Sequence, residues 1–144
     1  MDSPQRIHGS CASRSGDAVL FVGPPGSGKS DLVLRLLARG FELVADDQVD
    51  LRDGFASAPP RLAGLLEVRG LGIMRLSYAS RARIALVIDV AASPDRLPQP
   101  ARHAALDVPL VHLDAALPSA PDRVAFALDC ALGRISQVAG AFAA

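Results

Sequence analysis

Apolar residues run through this chain in two alternating patterns, continuous or period-two runs and stripes at helical spacing. Ile7 to Ala12 reads as a short strand, and Ser15-Gly16 as a turn into the unbroken apolar run Ala18–Val22, a buried strand. Leu32, Val33, Leu36 and Leu37 then recur at helical spacing as far as Arg39, with Gly40 placed to end the helix. Phe41 to Ala45 returns to strand character and ends at Asp46-Asp47. Val49 and Leu51 alternate with polar residues up to Asp53-Gly54, a hairpin signal that turns back through Phe55 to Ala58 before Pro59-Pro60 breaks the sheet. Leu62 to Ile73 is apolar but interrupted by Gly64, Gly70 and Gly72, which suits a loop or short strand wrapped around a site. Ile84 to Val90 is the clearest central strand, Ser93 to Pro100 a loop, and Val108 to Leu113 a last short strand. Ser119, with Asp122 three residues on, reads as a capping box opening a helix whose stripe is Val124, Leu128, Leu132, Ile135, Val138 and Phe142. The alternation predicts an α/β fold. The 41–58 hairpin predicts a mixed sheet.

Between the first apolar run and the first helix stands Gly23-Pro24-Pro25-Gly26-Ser27-Gly28-Lys29-Ser30, which fits G-x-x-x-x-G-K-[ST] at every fixed position. Strand, glycine-rich loop and helix N-terminus are the context that phosphate binding needs. Glycines let the backbone turn its N–H groups inward, and the helix dipole favours an anion there. Lys29 can reach the β- and γ-phosphates, and the Ser30 hydroxyl can ligate Mg²⁺. Nucleotide or pyrophosphate binding is the expectation.

Composition narrows the rest. The 144 residues predict one domain, a P-loop nucleotide-binding core over 1–144, half apolar and with only six aromatic residues, so Leu, Val, Ile and Ala must fill the core. Fifteen basic and fifteen acidic residues cancel, giving no basic field for nucleic acid. Cys11 and Cys130 are far apart without metal-type spacing, so two reduced thiols are expected. The polar start, Met1 to Arg6, has no signal-peptide character, and no stretch has the length of a membrane span. A cytoplasmic enzyme is expected.

Phosphoryl transfer also needs a metal site and a group that takes the acceptor's proton, and two acidic positions compete. Asp89 ends an apolar run, as a Walker-B aspartate would. Asp46 and Asp47 also follow an apolar strand, seventeen and eighteen residues after Lys29, and strand alternation turns adjacent carboxylates to opposite faces. Glu67 and Arg69 flank Val68, so extended backbone would aim both the same way, as a metal-binding carboxylate beside a guanidinium or as a surface ion pair. Nothing local raises His8, His103 or His112 above surface or structural roles.

Taken together, the order of these pieces resembles the catalytic domain of HPr kinase/phosphorylase. The resemblance runs from Ile7-His8-Gly9 through Gly23–Ser30 and Leu43-Val44-Ala45-Asp46-Asp47. It continues over Leu65-Leu66-Glu67-Val68-Arg69-Gly70-Leu71-Gly72-Ile73 to Asp95-Arg96-Leu97, about 90 residues. The Leu65–Ile73 stretch is far more specific than the phosphate loop. The resemblance implies a P-loop core with a mixed sheet and a kinase that uses ATP and Mg²⁺ on a serine of HPr or an HPr-like phosphocarrier. It implies that Gly23, Pro24, Pro25, Gly26, Ser27, Gly28, Lys29 and Ser30 hold the phosphates and that Ser30 and Glu67 are the metal ligands. Asp47 is implied as the group that takes the serine proton, with His8, Lys29, Arg96 and the companion carboxylate Asp46 completing the catalytic set. On this reading Asp89 is a structural strand end.

Two departures qualify the resemblance. The chain begins almost at the catalytic domain, as in the short form of alphaproteobacteria, and Val108–Asp114 lacks the basic loop that long enzymes use in dephosphorylation. Kinase activity is thus implied more strongly than phosphorylase activity, and a homo-oligomer, a hexamer in long-form relatives, is the implied assembly. The rivals are a generic P-loop NTPase or small-molecule kinase using Asp89, and a nucleotide-binding regulatory module without turnover.

Overall fold

A computed structural model describes residues 4–91 and 93–143. In chain order the elements are β1 (Gln5–His8), β2 (Ser10–Arg14), β3 (Asp17–Val22), α1 (Lys29–Leu37), β4 (Glu42–Ala45), β5 (Gln48–Arg52) and β6 (Phe55–Ser57). They continue with β7 (Leu65–Val68), β8 (Gly72–Arg75), β9 (Ala82–Asp89), β10 (Leu110–His112) and α2 (Ala120–Ala131). The main sheet runs β1-β5-β6-β9-β3-β2-β4. β9 lies parallel to β3 and to β10, and the other neighbours are antiparallel, so the sheet is mixed as expected. β6 pairs with the first two residues of β9 and β10 with its last three.

Both sheet faces are buried. On one, Val19, Phe21, Leu86 and Ile88 pack against Leu32, Val33 and Leu36 of α1 and Val124 and Leu128 of α2. On the other, Leu20, Val44, Val49, Leu51, Ile84 and Val87 form a second cluster. β4 meets β6 and β2 meets β5 without being their sheet neighbours, so the sheet curls over that second cluster. The link Asp46-Asp47 spans β4 to β5 across this curl.

The single strand expected over Ile7–Ala12 is two strands broken at Gly9. A Cβ there would stand 2.8 Å from the Phe21 carbonyl oxygen, so only glycine permits this approach. β1 pairs with β5, whereas β2 joins β3 and β4. Most of the glycine-cut stretch 62–73 belongs to a two-stranded hairpin, β7–β8, which runs from Leu65 to Arg75 separate from the main sheet. Leu66 anchors it by complete burial in the helix-side cluster, an anchor whose truncation to Ala would cost about 2–5 kcal/mol.

The last helix corrects two expectations. Ser119 makes no capping bond to the backbone; its hydroxyl instead accepts from Arg123 Nε at 2.8 Å, and Asp122 pairs with Arg39. The helix stops at Ala131 instead of continuing to Phe142. Gly133, at φ 75°, donates to the Cys130 carbonyl and Arg134 N–H to that of Asp129, a Schellman ending. Val138 is consequently fully exposed and Ile135 partly so. Both cysteines are free, Cys11 buried in the sheet and Cys130 half-buried on α2, and burial raises the pKa of each thiol.

Candidate active site

A cleft of about 570 Å³ opens over the N-terminus of α1. Its floor is the loop between β3 and α1, with Gly23, Pro25, Gly26 and Gly28, and the first turn of α1, with Lys29 and Ser30. Gly23 is held by close packing: a Cβ would meet Val90 Cγ2 at 2.9 Å and Ser27 Oγ at 3.0 Å. Pro24 and Ser27 act on the loop itself. Ser27 Oγ donates to the Pro24 carbonyl at 2.6 Å, and Lys29 Nζ donates to the carbonyls of Gly23 at 2.7 Å and Pro24 at 2.9 Å. Partial burial lowers the Lys29 pKa, while the Asp46 and Asp47 carboxylates oppose that shift.

The two aspartates are divided by a kink rather than by strand alternation. β4 ends at Ala45, and Asp47 takes φ 70°, a left-handed conformation that Asp tolerates at a cost of order 1 kcal/mol. Its carbonyl accepts from Gly9 N–H at 3.2 Å, while Gln48 N–H donates to the Asp46 carbonyl at 2.8 Å. Asp47 therefore lines the cleft. Asp46 is buried, 6 % exposed, and its Oδ1 accepts from Ser30 Oγ at 2.7 Å and Ser10 Oγ at 2.8 Å.

His8, at the end of β1, and Glu67 and Arg69, at the end of β7, line the same cleft. Four separate segments of the chain thus meet there. Arg96 does not: it stands on the exposed 93–100 loop and is absent from the cleft wall. Asp89 ends β9 beside Val22, but its carboxylate accepts from Ala91 N–H at 2.8 Å and stays out of the lining. His103 Nδ1 accepts from Leu106 N–H at 3.1 Å, a local structural role, and His112 is exposed on β10.

Ser10 is the residue that sequence reasoning missed. It is 1 % exposed, lines the cleft and fixes Asp46. Only its position one residue after Gly9, on a strand beside the cradle strand, hinted at it. Ser10→Ala leaves the buried carboxylate one donor short. We expect about 2 kcal/mol less stability by urea unfolding, the range for hydrogen bonds to charged groups, with the cleft still formed.

Comparison with known proteins identifies the family and the fold. A family model described as the HPr Serine kinase C-terminal domain matches residues 1–99, more than half of the chain. The chain belongs to that family. HPr kinase/phosphorylase 1 of Oceanobacillus iheyensis is 42% identical over 96 residues, 58% of this chain and 31% of that protein. HPr kinase/phosphorylase of Clostridium beijerinckii is 44% identical over 73 residues, 48% of this chain and 24% of that protein. The matches therefore span about a third or less of these relatives. Among solved structures, the Hpr(Ser) kinase/phosphatase from Coxiella burnetii superposes with a TM-score of 0.68 at 23% identity, over 83% of this chain and 86% of that one. The shared fold is thus the α/β fold of the family, mixed sheet included.

Proposed function

We propose that this chain is an ATP-dependent protein serine kinase acting on an HPr-like phosphocarrier in the cytoplasm. The observation that carries this reading is the convergence of His8, Asp47 and Glu67, from three different segments, on the wall of the cleft that Lys29 and Ser30 floor.

The backbone of the 23–28 loop and the Lys29 ammonium hold the β- and γ-phosphates. Binding there replaces the Gly23 and Pro24 carbonyls as partners of Nζ. The acceptor serine enters on the Asp47 side. Its oxygen forms a bond to the γ-phosphorus as the bond to the ADP oxygen breaks, and the hydroxyl proton passes to the Asp47 carboxylate. His8 orients that carboxylate. Arg96 joins this scheme by resemblance alone.

The site also suits Mg²⁺, which takes one or two protein oxygens together with substrate phosphates. Among the described residues no three His, Cys, Asp or Glu side chains stand close enough together to hold a metal ion by themselves, so phosphate oxygens would complete the shell around Ser30 and Glu67. The bound ion would neutralise charge developing on the phosphates. By accepting the Ser30 proton, Asp46 leaves the serine lone pairs free for the ion.

The direct test is incubation with radiolabelled ATP, Mg²⁺ and an HPr-type carrier. Label in the carrier supports the kinase. Label in a small molecule supports a different kinase, and nucleotide binding without turnover a regulatory module. Glu67→Gln should raise the Mg²⁺ concentration for half-maximal activity roughly tenfold or more, an effect comparable to loss of a ligand-supporting group, while the melting profile is kept. The same defect in Asp89→Asn but not in Glu67→Gln would transfer the metal role to β9.

A further inference from the structure

At the far end of the sheet from the cleft, a depression of about 420 Å³ is bounded by Arg52, Asp53, Phe55, Ser57, Ser80 and Arg81. Strand register explains its charge. Arg52 on β5 and Arg83 on β9 both pair with Phe55 on β6, so the three side chains form one row across adjacent strands. The Arg81 guanidinium lies 4.2 Å from the centre of the Phe55 ring and that of Arg83 4.6 Å. Stacking on the ring fixes each guanidinium plane and leaves its N–H edge free.

Arg52 and Arg83 flank Phe55 from its two neighbouring strands, so positive charge gathers around one ring. Arg6, Arg14, Arg35, Arg39 and Arg102 each have a carboxylate within ion-pair distance, whereas Arg61, Arg69, Arg75, Arg96, Arg123 and Arg134 have none among the described residues. It is the stacking on one ring, not the lack of a partner, that sets this row apart. Among the described residues Arg52, Arg81 and Arg83 do not form such pairs, although Asp53 lines the same depression and Asp17 is the register partner of Arg83. A concavity lined by Arg52, Arg81, Ser57 and Ser80, with Arg83 stacked on the same Phe55 ring, suits oxygen anions bearing several charges.

We infer that this depression is a second binding site, for a small multiply charged oxyanion. It lies about 20 Å from the cradle along β9, at the 3.3 Å rise of a strand, since Arg83 is the second residue of that strand and Asp89 ends it beside Val22. The site is independent of the kinase reading.

The chain has only five phenylalanines, so the ring protons of Phe55 are a usable NMR signal, assigned with Phe55→Leu. Tripolyphosphate and citrate are each titrated against the whole protein, with sodium chloride at matched ionic strength as control. Tripolyphosphate also enters the cleft if the proposed function holds, so the readout is Phe55 alone. Saturable Phe55 shifts are expected, weakened tenfold or more in Arg81→Ala/Arg83→Ala and partly in Arg83→Lys, which keeps charge but loses the fork. A tighter response to tripolyphosphate would identify a phosphate-bearing ligand, and a tighter response to citrate a polycarboxylate. Phe55 shifts that follow sodium chloride equally would overturn the inference. So would undiminished binding in the folded variants, or an equal loss in Arg123→Ala.

Discussion

Asp47→Asn should retain nucleotide binding while phosphorylation of the carrier falls by about 10²–10⁴-fold, the usual contribution of a general base. The amide keeps the size of the side chain and its place on the cleft wall but cannot take the serine proton. The left-handed backbone at Asp47 is equally open to Asn, so the kink between β4 and β5 should survive the change. Nucleotide affinity by calorimetry and labelled-carrier rates measure the two halves separately. Near-normal turnover would remove Asp47 from the proposed chemistry. Asp46→Asn should behave differently, because its site is the Ser10–Ser30 bridge. Its defect should lie in stability and in the Mg²⁺ requirement.

Lys29→Ala should lose both functions. In the proposed scheme the ammonium faces the β- and γ-phosphates, and comparable losses of transition-state charge stabilisation cost roughly 10²–10³-fold in rate, before the weaker nucleotide binding is counted. The fold should persist, since Nζ satisfies only two carbonyls of the loop. Carrier phosphorylation at saturating ATP reports the chemical loss, and an unfolding curve controls for structure. Turnover close to that of the parent would refute the phosphate-cradle assignment.

The parts of this site that could be read from the sequence are those whose geometry is local. The cradle needs only a strand, a glycine-rich turn and a helix start in succession, and all three are contiguous. The Asp53-Gly54 hairpin is likewise set by its own turn residues. Contacts distant in sequence escaped. Gly9 looks like an ordinary strand residue until the Phe21 carbonyl arrives from β3. Ser10 acquires its meaning only when β2 and the β4–β5 link converge on Ser30. At the capping box the residue types were right, but Arg39 and Arg123 compete for the two side chains, and the Gly133 ending outweighs the apolar periodicity beyond it. Asp46 and Asp47 were expected to diverge, and they do so through a backbone kink that strand alternation does not describe.

The break at Gly9 leaves His8 on a four-residue edge strand whose register partner is β5, and whose burial is slight compared with that of β2. Short, exposed edge segments sit at the low-stability end of a protein's opening spectrum. β1 can therefore detach in a sub-global opening while the cradle, rooted in β3 and α1, stays intact. If the proposed function holds, warming would remove the enzyme's acceptor activation before its nucleotide binding. Its activity and its melting temperature would part company at the first strand.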